Sequence, residues 1–293
     1  MRTLNIIGAG KLGRTLGRLW QERSFFHVHG VCNRSLESSR HAVDFIGAGE
    51  ARSSLDSMPA ADCWLIASPD SEIERLAAVL ASHLDTLATR SAQTTVFHCS
   101  GALGSEVLEV CHPASIASAH PVHSFANPAR SLETLSGSAV AMEGDENAVA
   151  ILKDAFSALG CRTLSIASEH KSLYHAGSVF ACNYLTVLMG LSLQCLERAG
   201  IRQEDALALL QPIVLQTARN NMELGPEASL TGPIARGDTM TVSKQLRVLA
   251  ETSPLLADNY RHLGLACVEL ARRGSLDDDA AERLTAILNG TTR

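Results

Sequence analysis

The sequence predicts an α/β domain with a doubly wound, mainly parallel sheet, followed by an all-α domain that contains one long helix. Two observations lead to this prediction. As far as residue 168, short apolar runs that end in turn residues alternate with amphipathic helical patterns. From Glu169 to Ala199 the chain has an apolar helical pattern without proline, which is too long for a crossover between two strands. We therefore predict domains at residues 1–168 and 169–293.

The composition is that of a globular protein. A length of 293 residues and a hydrophobic content of 46% are sufficient for two ordinary domains with buried cores. The formal net charge is −6, and 25 Lys and Arg residues are scattered among 31 Asp and Glu residues. Because this distribution provides no basic patch to match a phosphate backbone, we expect no nucleic-acid partner.

The sequence also favours a soluble protein. Its first apolar run leads directly into a glycine-rich turn, which indicates a core strand and not a signal peptide. The most apolar helical segment, Leu185 to Leu196, is interrupted by Ser192 and Gln194, so we expect no membrane span. The eight cysteines contain no Cys-x-x-Cys pair and lie mostly in apolar surroundings, which indicates reduced, buried thiols and no metal site. We expect a cytoplasmic protein.

A glycine-rich turn follows the first predicted strand. From Leu4 to Gly13 an apolar run continues into Gly-x-Gly-x-x-Gly, and a helical pattern follows. In such a turn Gly8 permits the sharp change of direction, Gly10 lets a pyrophosphate approach the backbone, and Gly13 lets the helix pack close to the strand. The helix N-terminus then faces the anion with unpaired N–H groups. We predict a dinucleotide site or, alternatively, an ordinary strand-turn-helix; the site residues are Gly8, Ala9, Gly10, Lys11, Leu12 and Gly13.

The end of the second predicted strand, His27–Cys32, indicates which dinucleotide is preferred. An NAD site usually has Asp or Glu about 20 residues beyond the glycines, where it binds the ribose 2′-hydroxyl. This chain has Asn33, Arg34 and Ser35 there, which can donate hydrogen bonds to a 2′-phosphate that a carboxylate would repel. We therefore predict NADP. Alternatively, Arg34 is a solvated loop residue beside a helix N-cap at Ser35, and both interpretations can hold together.

The third clear strand is predicted at Asp62–Ala67, and it is followed by Ser68, Pro69 and Asp70. Ligands of a doubly wound sheet bind beyond the carboxyl ends of its strands, so this segment is expected to face the cofactor. Alternatively, these residues simply begin the next helix.

Ser100 and His120 lie at the ends of the next two predicted strands. Ser100 follows the run Thr94–Cys99 and precedes a glycine that lets a ligand approach the backbone. His120 closes a short run that ends at Pro121, and a histidine at this position either contacts substrate or has a structural role. Two last strands are predicted at residues 137–142 and 161–166, with a helix at 147–159 between them.

The N-terminal part of the long helix has a row of polar and cysteine side chains. Their spacings of four, three and four residues project them from one face: Lys171, His175, Ser178 and Cys182. Reduction of a carbonyl by hydride needs a proton donor and positive charge near the forming alkoxide, and Lys171 or His175 can supply them. Alternatively, Lys171 is a solvated first-turn residue and His175 packs between helices. Asn183 lies on a neighbouring face, where its amide either lines the site or ties two helices together.

The remainder of the chain is predicted to be helical. A helix at Gln203–Leu224 is expected to break at Pro212. In the loop that follows it, Arg236 and Asp238 either bind a substrate carboxylate or pair with each other across a subunit interface. Three more helices are predicted at Val242–Glu251, Pro254–Arg273 and Asp277–Leu288.

With these residues assembled, the sequence resembles the 6-phosphogluconate-dehydrogenase-like group of NAD(P) oxidoreductases over essentially its whole length. This group includes β-hydroxyacid dehydrogenases, ketopantoate reductase, pyrroline-5-carboxylate reductase and prephenate dehydrogenase. More narrowly, the chain resembles the Rossmann-like proteins whose helical C-terminal half was long catalogued as a domain of unknown function. The resemblance is carried by Gly8–Gly13, Asn33–Ser35, Ser68–Asp70, His98–Ala102, His120–Pro121, Tyr174–Ala176 with Asn183–Tyr184, and Gly232–Asp238.

The resemblance implies a Rossmann domain, NADP as the cofactor and reduction of a 2-keto acid, because some members of the narrower family are regarded as ketopantoate reductases. In the β-hydroxyacid dehydrogenases and the better-known ketopantoate reductases, a catalytic Lys lies four residues before an Asn on this helix. Here the residue four positions before Asn183 is Val179, and Lys171 lies two turns further back. The proton donor therefore stays open among His175, Lys171 and His120.

We predict an NADPH-dependent reductase of a small 2-keto acid, with 2-dehydropantoate (ketopantoate) as the most specific choice. Ser100 and Asn183 are expected to orient the substrate, and His175 or Lys171 to assist protonation. One alternative is a cyclic-imine reductase of the pyrroline-5-carboxylate reductase type, and another is a non-catalytic NADP-binding regulatory protein. The mostly apolar long helix leads us to expect a homodimer.

Overall fold

The structure, a computed structural model, describes residues 1–290 and contains two compact units, Met1–Asn183 and Tyr184–Arg293. In the described part of the first unit the strands form one eight-stranded sheet in the order β3-β2-β1-β4-β5-β6-β7-β8. All neighbours pair parallel except β6 and β7, which pair antiparallel. The strands are β1 Arg2–Ile7, β2 Phe26–Cys32, β3 Glu50–Arg52, β4 Cys63–Ile66, β5 Thr95–His98, β6 Ser115–Pro121, β7 Ala139–Gly144 and β8 Arg162–Ser165.

The predicted fold class is confirmed: a doubly wound, mainly parallel sheet is followed by an all-α region. One strand, β3, was missing from the prediction because its three residues are too few to show an alternating pattern. The helices of the first unit are α1 Lys11–Glu22, α2 Leu36–Ile46, α3 Asp70–Thr86, α4 Pro128–Thr134, α5 Glu146–Ser157 and α6 Lys171–Ser178, with 3₁₀ turns at Leu55–Ser57, Ser105–Cys111 and Ser168–His170.

Both faces of the sheet are buried, because successive side chains of a strand point to opposite faces and both sets are apolar. Ile6 of β1 belongs to the core that also contains Trp20 of α1. Ile7, the next residue, belongs to the opposite core, which contains Ile73 of α3. The cores therefore hold α1 on one face of the sheet and α3 on the other.

Trp20 is the centre of the first core. Its side chain is fully buried, and its ring makes edge-to-face contacts with Phe26, Phe97 and Phe156. Its Nε1–H donates a hydrogen bond of 3.0 Å to the carbonyl oxygen of Ala155, so the one polar atom of the ring is satisfied. This residue thus packs α1 against β2, β5 and α5.

The first unit includes α6, which the sequence pattern assigned to the second domain. The physical reason is that Lys171, at the start of α6, points its side chain into the sheet unit. Its ammonium donates to the carbonyl oxygen of Ser100 and to the Ser118 hydroxyl.

The second unit is helical throughout its regular structure. The helix Gln203–Leu224 (α8) is continuous and does not break at Pro212, contrary to the prediction. The nitrogen of Pro212 cannot donate a hydrogen bond to the carbonyl oxygen of Ala208, four positions earlier. The hydrogen bonds of the flanking turns keep the helix continuous. The other predicted helices are present, and the helices are α7 Tyr184–Arg198, α8 Gln203–Leu224, α9 Pro226–Ser229, α10 Thr239–Thr252, α11 Pro254–Arg272 and α12 Asp278–Leu288.

The long apolar helix extends over Ser168–Arg198, with a π-helical segment at Val179–Asn183. It has 31 residues, and none of its most apolar 18-residue window is buried. By length and composition it could cross a membrane, so the expectation that no apolar run reaches that length is wrong. Ser192 and Gln194 interrupt the apolar run, but both are uncharged and lower the mean hydropathy of the helix too little to exclude a membrane span. A single such helix is weak evidence of a membrane protein, because helices of soluble proteins pass the same test.

The eight cysteines, all within residues 1–290, form no disulfide bond. Cys182, on the long helix, is exposed, so the expectation that the cysteines are buried does not hold for it. The five that are buried are Cys32, Cys63, Cys99, Cys111 and Cys161.

Replacing Trp20 by Ala is expected to lower the free energy of unfolding by about 3–5 kcal/mol, because it leaves a cavity where three aromatic rings meet. Chemical denaturation followed by circular dichroism measures the loss. The control, Trp20→Phe, keeps the ring contacts and is expected to cost less. Equal losses in the two variants would contradict this packing role.

Candidate active site

The predicted glycine turn has the geometry that each glycine was expected to permit. Gly8 has φ +82°, and a Cβ atom added there would lie 2.8 Å from the backbone nitrogen of Ser68. A Cβ at Gly13 would lie 3.0 Å from Cβ of Ala67, so the start of α1 packs tightly on β4. At Gly10 the nearest atom to an added Cβ is a carbonyl oxygen 3.9 Å away, so this side of the turn is open.

The open side of the turn fits a pyrophosphate. The N-cap of α1 is Gly10, which has no side chain to block the first N–H groups, and no acidic residue lies in the first turn. Lys11 is exposed beside them, while Ala9 is buried and holds the turn against the core. The turn Gly8–Gly13 could therefore hold a dinucleotide phosphate.

Two of the three residues after β2 are engaged within the protein. The Asn33 side-chain amide donates to the carbonyl oxygen of Ser38 at 2.9 Å and to its hydroxyl. The hydroxyl of Ser35 accepts the N–H of Ser38 and caps α2. Arg34 is exposed. Of the three residues, Arg34 has the side chain available to meet a 2′-phosphate.

Asp70 and Ser100 come together at the ends of β4 and β5. The Ser100 hydroxyl donates to Asp70 Oδ2 at 2.8 Å and accepts the N–H groups of Ala102 and Leu103. Asp70 is the first residue of α3, and the residues before it, Ser68 and Pro69, lead out of β4. The hydroxyl of Ser100 therefore organises a turn and joins it to the α3 N-terminus.

His98 stabilises the turn that follows Ser100. Its Nδ1 accepts the Ser100 N–H at 3.1 Å, so the proton is on Nε2, which donates to the Gly104 carbonyl oxygen at 3.0 Å. Burial lowers the pKa of His98 to about 4, which keeps the ring neutral at physiological pH. The role of His98 is thus to shape the turn between Ser100 and Gly104.

His120 and His175 pack around Gly101. The two imidazole rings meet edge to face, with centroids 5.6 Å apart. A Cβ added at Gly101 would lie 2.9 Å from His120 Nε2 and would overlap His175 Nδ1, so only glycine lets both rings approach the turn. His120 Nδ1 lies 3.0 Å from the Tyr174 hydroxyl. Among the described residues, no hydrogen-bond partner reaches the buried Nδ1 of His175.

The protonation state of this cluster follows from its surroundings. Burial, with smaller effects of His175 and Lys171, lowers the pKa of His120 to about 4. Burial raises the pKa of Tyr174, so its hydroxyl keeps its proton. His120 is therefore neutral at physiological pH and acts as a hydrogen-bonding group there.

Lys171 is buried, with 1% of its surface exposed, and is not the solvated residue of the alternative interpretation. Its Nζ donates to the Ser100 carbonyl oxygen at 3.2 Å and to the Ser118 hydroxyl, and it lies 3.5 Å from Oε1 of Glu143. Burial lowers the pKa of Lys171 and the Glu143 carboxylate opposes that shift.

The remaining residues of the long-helix row lie apart from this cluster or bond locally. The Ser178 hydroxyl donates to the His175 carbonyl oxygen, and Cys182 is exposed. Asn183 is exposed at the end of the π-helical segment, a departure from regular helix that is frequent at functional sites.

Arg236 and Asp238 belong to the second unit. The Asp238 carboxylate caps α10, accepting the N–H and the hydroxyl of Thr241 at 3.0 and 2.7 Å. These bonds lower the pKa of Asp238. Arg236 is exposed.

Cavities outside this cluster have a different character. An apolar groove of about 340 Å³ lies wholly in the second unit and contains none of the polar residues described above; its lining includes Leu191, Leu210, Leu249, Leu256, Tyr260 and Leu263. Within residues 1–290, no group of three or more His, Cys, Asp or Glu side chains is placed to hold a metal ion.

Several contributors to the cluster were not assigned a role from the sequence, among them Glu143 and Tyr174. Glu143 is the next-to-last residue of β7, where a charged residue ends the apolar run, and that change was the available signal. Tyr174 is adjacent to His175, but its contact with His120 depends on a fold between residues 54 positions apart.

Two family models match the chain, and each covers one region. Residues 2–121 match a Rossmann-like domain, and residues 138–267 match a domain of unknown function, DUF2520. A search of curated proteins finds no match.

Solved structures with the same fold cover nearly the whole chain. A proposed NADP oxidoreductase from Bacteroides fragilis has 22% identity and a TM-score of 0.77, covering 93% of this chain and 98% of its own. Protein TM1727 from Thermotoga maritima has 26% identity and a TM-score of 0.69, covering 92% and 98%. Pyrroline carboxylate reductase from Plasmodium falciparum, solved with NADP bound, has 13% identity and a TM-score of 0.59, covering 98% of each chain.

The order of the two matched regions agrees with the observed order of sheet and helices. The chain therefore joins a region that matches a Rossmann-like domain to a C-terminal region that matches DUF2520.

Proposed function

We propose that this protein is an NADPH-dependent oxidoreductase that reduces a small 2-keto acid, with 2-dehydropantoate (ketopantoate) as the first substrate to test. One observation carries the proposal. The open glycine turn and the cluster of Asp70, Ser100, His120 and His175 occur together at the carboxyl ends of parallel strands, which is where ligands of doubly wound sheets bind.

The cofactor-binding residues follow from this edge of the sheet. The turn Gly8–Gly13 would hold the pyrophosphate, Arg34 the 2′-phosphate, and the segment Ser68–Asp70 the ribose and nicotinamide side. NADPH, when bound, would supply the hydride. The choice of NADP over NAD is supported by the absence of a carboxylate at residues 33–35 and by the NADP bound to the similar Plasmodium falciparum reductase.

His175 is the best candidate for the proton donor. At pH 7 a histidine with a pKa of about 4, such as His120, is protonated in roughly one molecule in a thousand. Lys171 is buried and its ammonium is occupied by Ser100, Ser118 and Glu143. His175 has a ring nitrogen without a partner among the described residues, so its imidazole can be the group that protonates the alkoxide.

Ser100 and Asn183 are proposed to orient the substrate in different ways. The hydroxyl of Ser100 is fully used within its turn, so it would present the backbone of Gly101 and the carboxylate of Asp70. The exposed amide of Asn183 would bind the substrate directly.

A second candidate function is reduction of a cyclic imine. It is favoured by the neutral state of His120 and the occupied state of Lys171, because a protonated iminium demands little from a proton donor. The fold likeness to pyrroline carboxylate reductase agrees with it.

We propose further that the protein is a cytoplasmic homodimer. Eight cysteines without a disulfide bond suit a reducing compartment. The apolar face of the helix Ser168–Arg198 exposes Leu173 by 77% and Val187 by 51%, and large exposed apolar surfaces in soluble proteins mark contact sites. A second copy of this face would cover it.

The reaction is tested by following NADPH oxidation with a panel of 2-keto acids and cyclic imines, with NADH in parallel. We expect turnover with keto acids and a preference for NADPH over NADH. Turnover confined to imines would support the second candidate. Tight NADPH binding with no turnover across the panel would contradict both and leave a regulatory protein.

Replacing His175 by Gln is expected to lower kcat for a keto acid by about 100-fold or more, because the alkoxide loses its proton donor. NADPH affinity, measured by fluorescence titration, should stay unchanged. His170→Gln is the matched control, because His170 is exposed one position before α6. An unchanged kcat in His175→Gln would refute the assignment.

Light scattering after gel filtration is expected to give a dimer for the wild type without detergent. Val187→Glu should produce monomers, because it places a charge on the proposed contact face. Val110→Glu, at a position exposed by 47% in the 3₁₀ turn Ser105–Cys111, should remain dimeric. A monomeric wild type, or one that needs detergent to stay soluble, would overturn the proposal.

A further inference from the structure

We infer that Lys171 and Glu143 form a buried ion pair that holds the turn Ser100–Ser105 in its working geometry, so that Lys171 is a positioning residue and not the proton donor. This inference rests on the proposed function. It concerns two residues from distant parts of the chain, one in α6 and one in β7.

Lys171 holds the first end of the turn. Its ammonium donates to the carbonyl oxygen of Ser100 at 3.2 Å and to the hydroxyl of Ser118 in β6. The Ser118 hydroxyl itself lies 3.4 Å from the same carbonyl oxygen. These groups are buried, and burial strengthens a hydrogen bond to the Ser100 carbonyl oxygen.

Glu143 holds the other end. Its Oε1 accepts the Ser105 N–H at 2.8 Å, and its Oε2 accepts the Ser105 hydroxyl at 2.7 Å. Oε1 also lies 3.5 Å from the ammonium of Lys171, and 8% of the Glu143 side chain is exposed. The two charges therefore join Ser100 to Ser105 through their own contact.

The turn between these ends carries the groups that the proposed reaction needs. Gly101 packs against the rings of His120 and His175, and the Ser100 hydroxyl donates a hydrogen bond to Asp70. A displacement of about 1 Å in a reacting group can cost about 100-fold in rate. Movement of either anchored end would shift Gly101 against both imidazoles.

The pair is also suited to act as a unit. Removing one partner of a buried ion pair leaves an uncompensated charge, whereas removing both removes that penalty. Lys171→Met and Glu143→Gln keep much of the side-chain volume. Each single variant therefore loosens one end of the turn and leaves the other charge unpaired, whereas the double variant loosens both ends without an unpaired charge, so the two losses should not multiply.

The experiment measures kcat, KM and NADPH affinity for Lys171→Met, Glu143→Gln, the double variant and Ser105→Ala. We expect kcat to fall by about 10- to 100-fold in each single variant and in the double variant, without multiplication of the two losses. NADPH affinity should change by less than about 2-fold, since the glycine turn is untouched. Glu22→Gln, in an exposed ion pair with Arg18, is the control and should change nothing.

A different pattern would overturn the inference. If Lys171 itself donates the proton, Glu143→Gln and Ser105→Ala will keep most of the wild-type kcat, while Lys171→Met and the double variant lose it. Ser105→Ala also serves where the charge variants fail to fold, because it leaves the ion pair intact and removes the side-chain hydrogen bond at one end of the turn.

Hydrogen–deuterium exchange of residues 100–105 separates this inference from the proposed function. Faster exchange in Lys171→Met and Glu143→Gln supports the anchoring role even if the wild type turns over no substrate. Unchanged exchange would refute that role whatever the activity. Absence of turnover in the wild type would count against the proposed function alone.

Discussion

The parallel pairing of β1, β4, β5 and β6 is the constraint on which the candidate site depends. Parallel strands have their carboxyl ends at one edge of a sheet, so the glycine turn, Asp70, Ser100 and His120 share that edge. The apolar cores on both faces hold this edge in place, because α1 and α3 cannot shift without exposing them.

At the carboxyl edge of the sheet, glycines let the backbone pack closely where a side chain would not fit. Gly8 packs against Ser68, Gly13 packs against Ala67, and Gly101 packs against two imidazole rings. At each position a Cβ atom would force neighbouring groups apart. Gly10 differs, because a Cβ atom there would meet no atom closer than 3.9 Å, so it is the glycine of the motif that leaves the backbone open.

The buried polar groups behind the edge are fully paired around Lys171. Its ammonium, the Glu143 carboxylate and the hydroxyl groups of Ser105 and Ser118 satisfy one another in a space that excludes water. A buried charge is tolerated when it is paired and hydrogen-bonded, and removing one partner is costly. The network therefore gives the turn Ser100–Ser105 a single position.

Local patterns and long-range contacts determined different parts of this protein. The apolar strands, the glycine turn, the residues at strand ends and the C-terminal helices were predictable, because each depends on neighbours within about ten residues. β3 was too short to show a pattern, and the continuity of α8 through Pro212 depended on turns that a local rule ignores. The sequence analysis predicted the length of the apolar helix but underestimated how apolar and how exposed it is.

The sequence by itself determined the fold class, the order of sheet and helices, and the edge of the sheet where the candidate site lies, since periodicity and glycine spacing are local properties. Only the tertiary structure decided which contacts the polar residues make. It buried Lys171 against Glu143, engaged Ser100 within its own turn and left Nδ1 of His175 without a partner among residues 1–290. These outcomes depend on residues that the fold brings together from distant positions in the chain. The spacing of residues along a helix does not indicate which partners their side chains will contact.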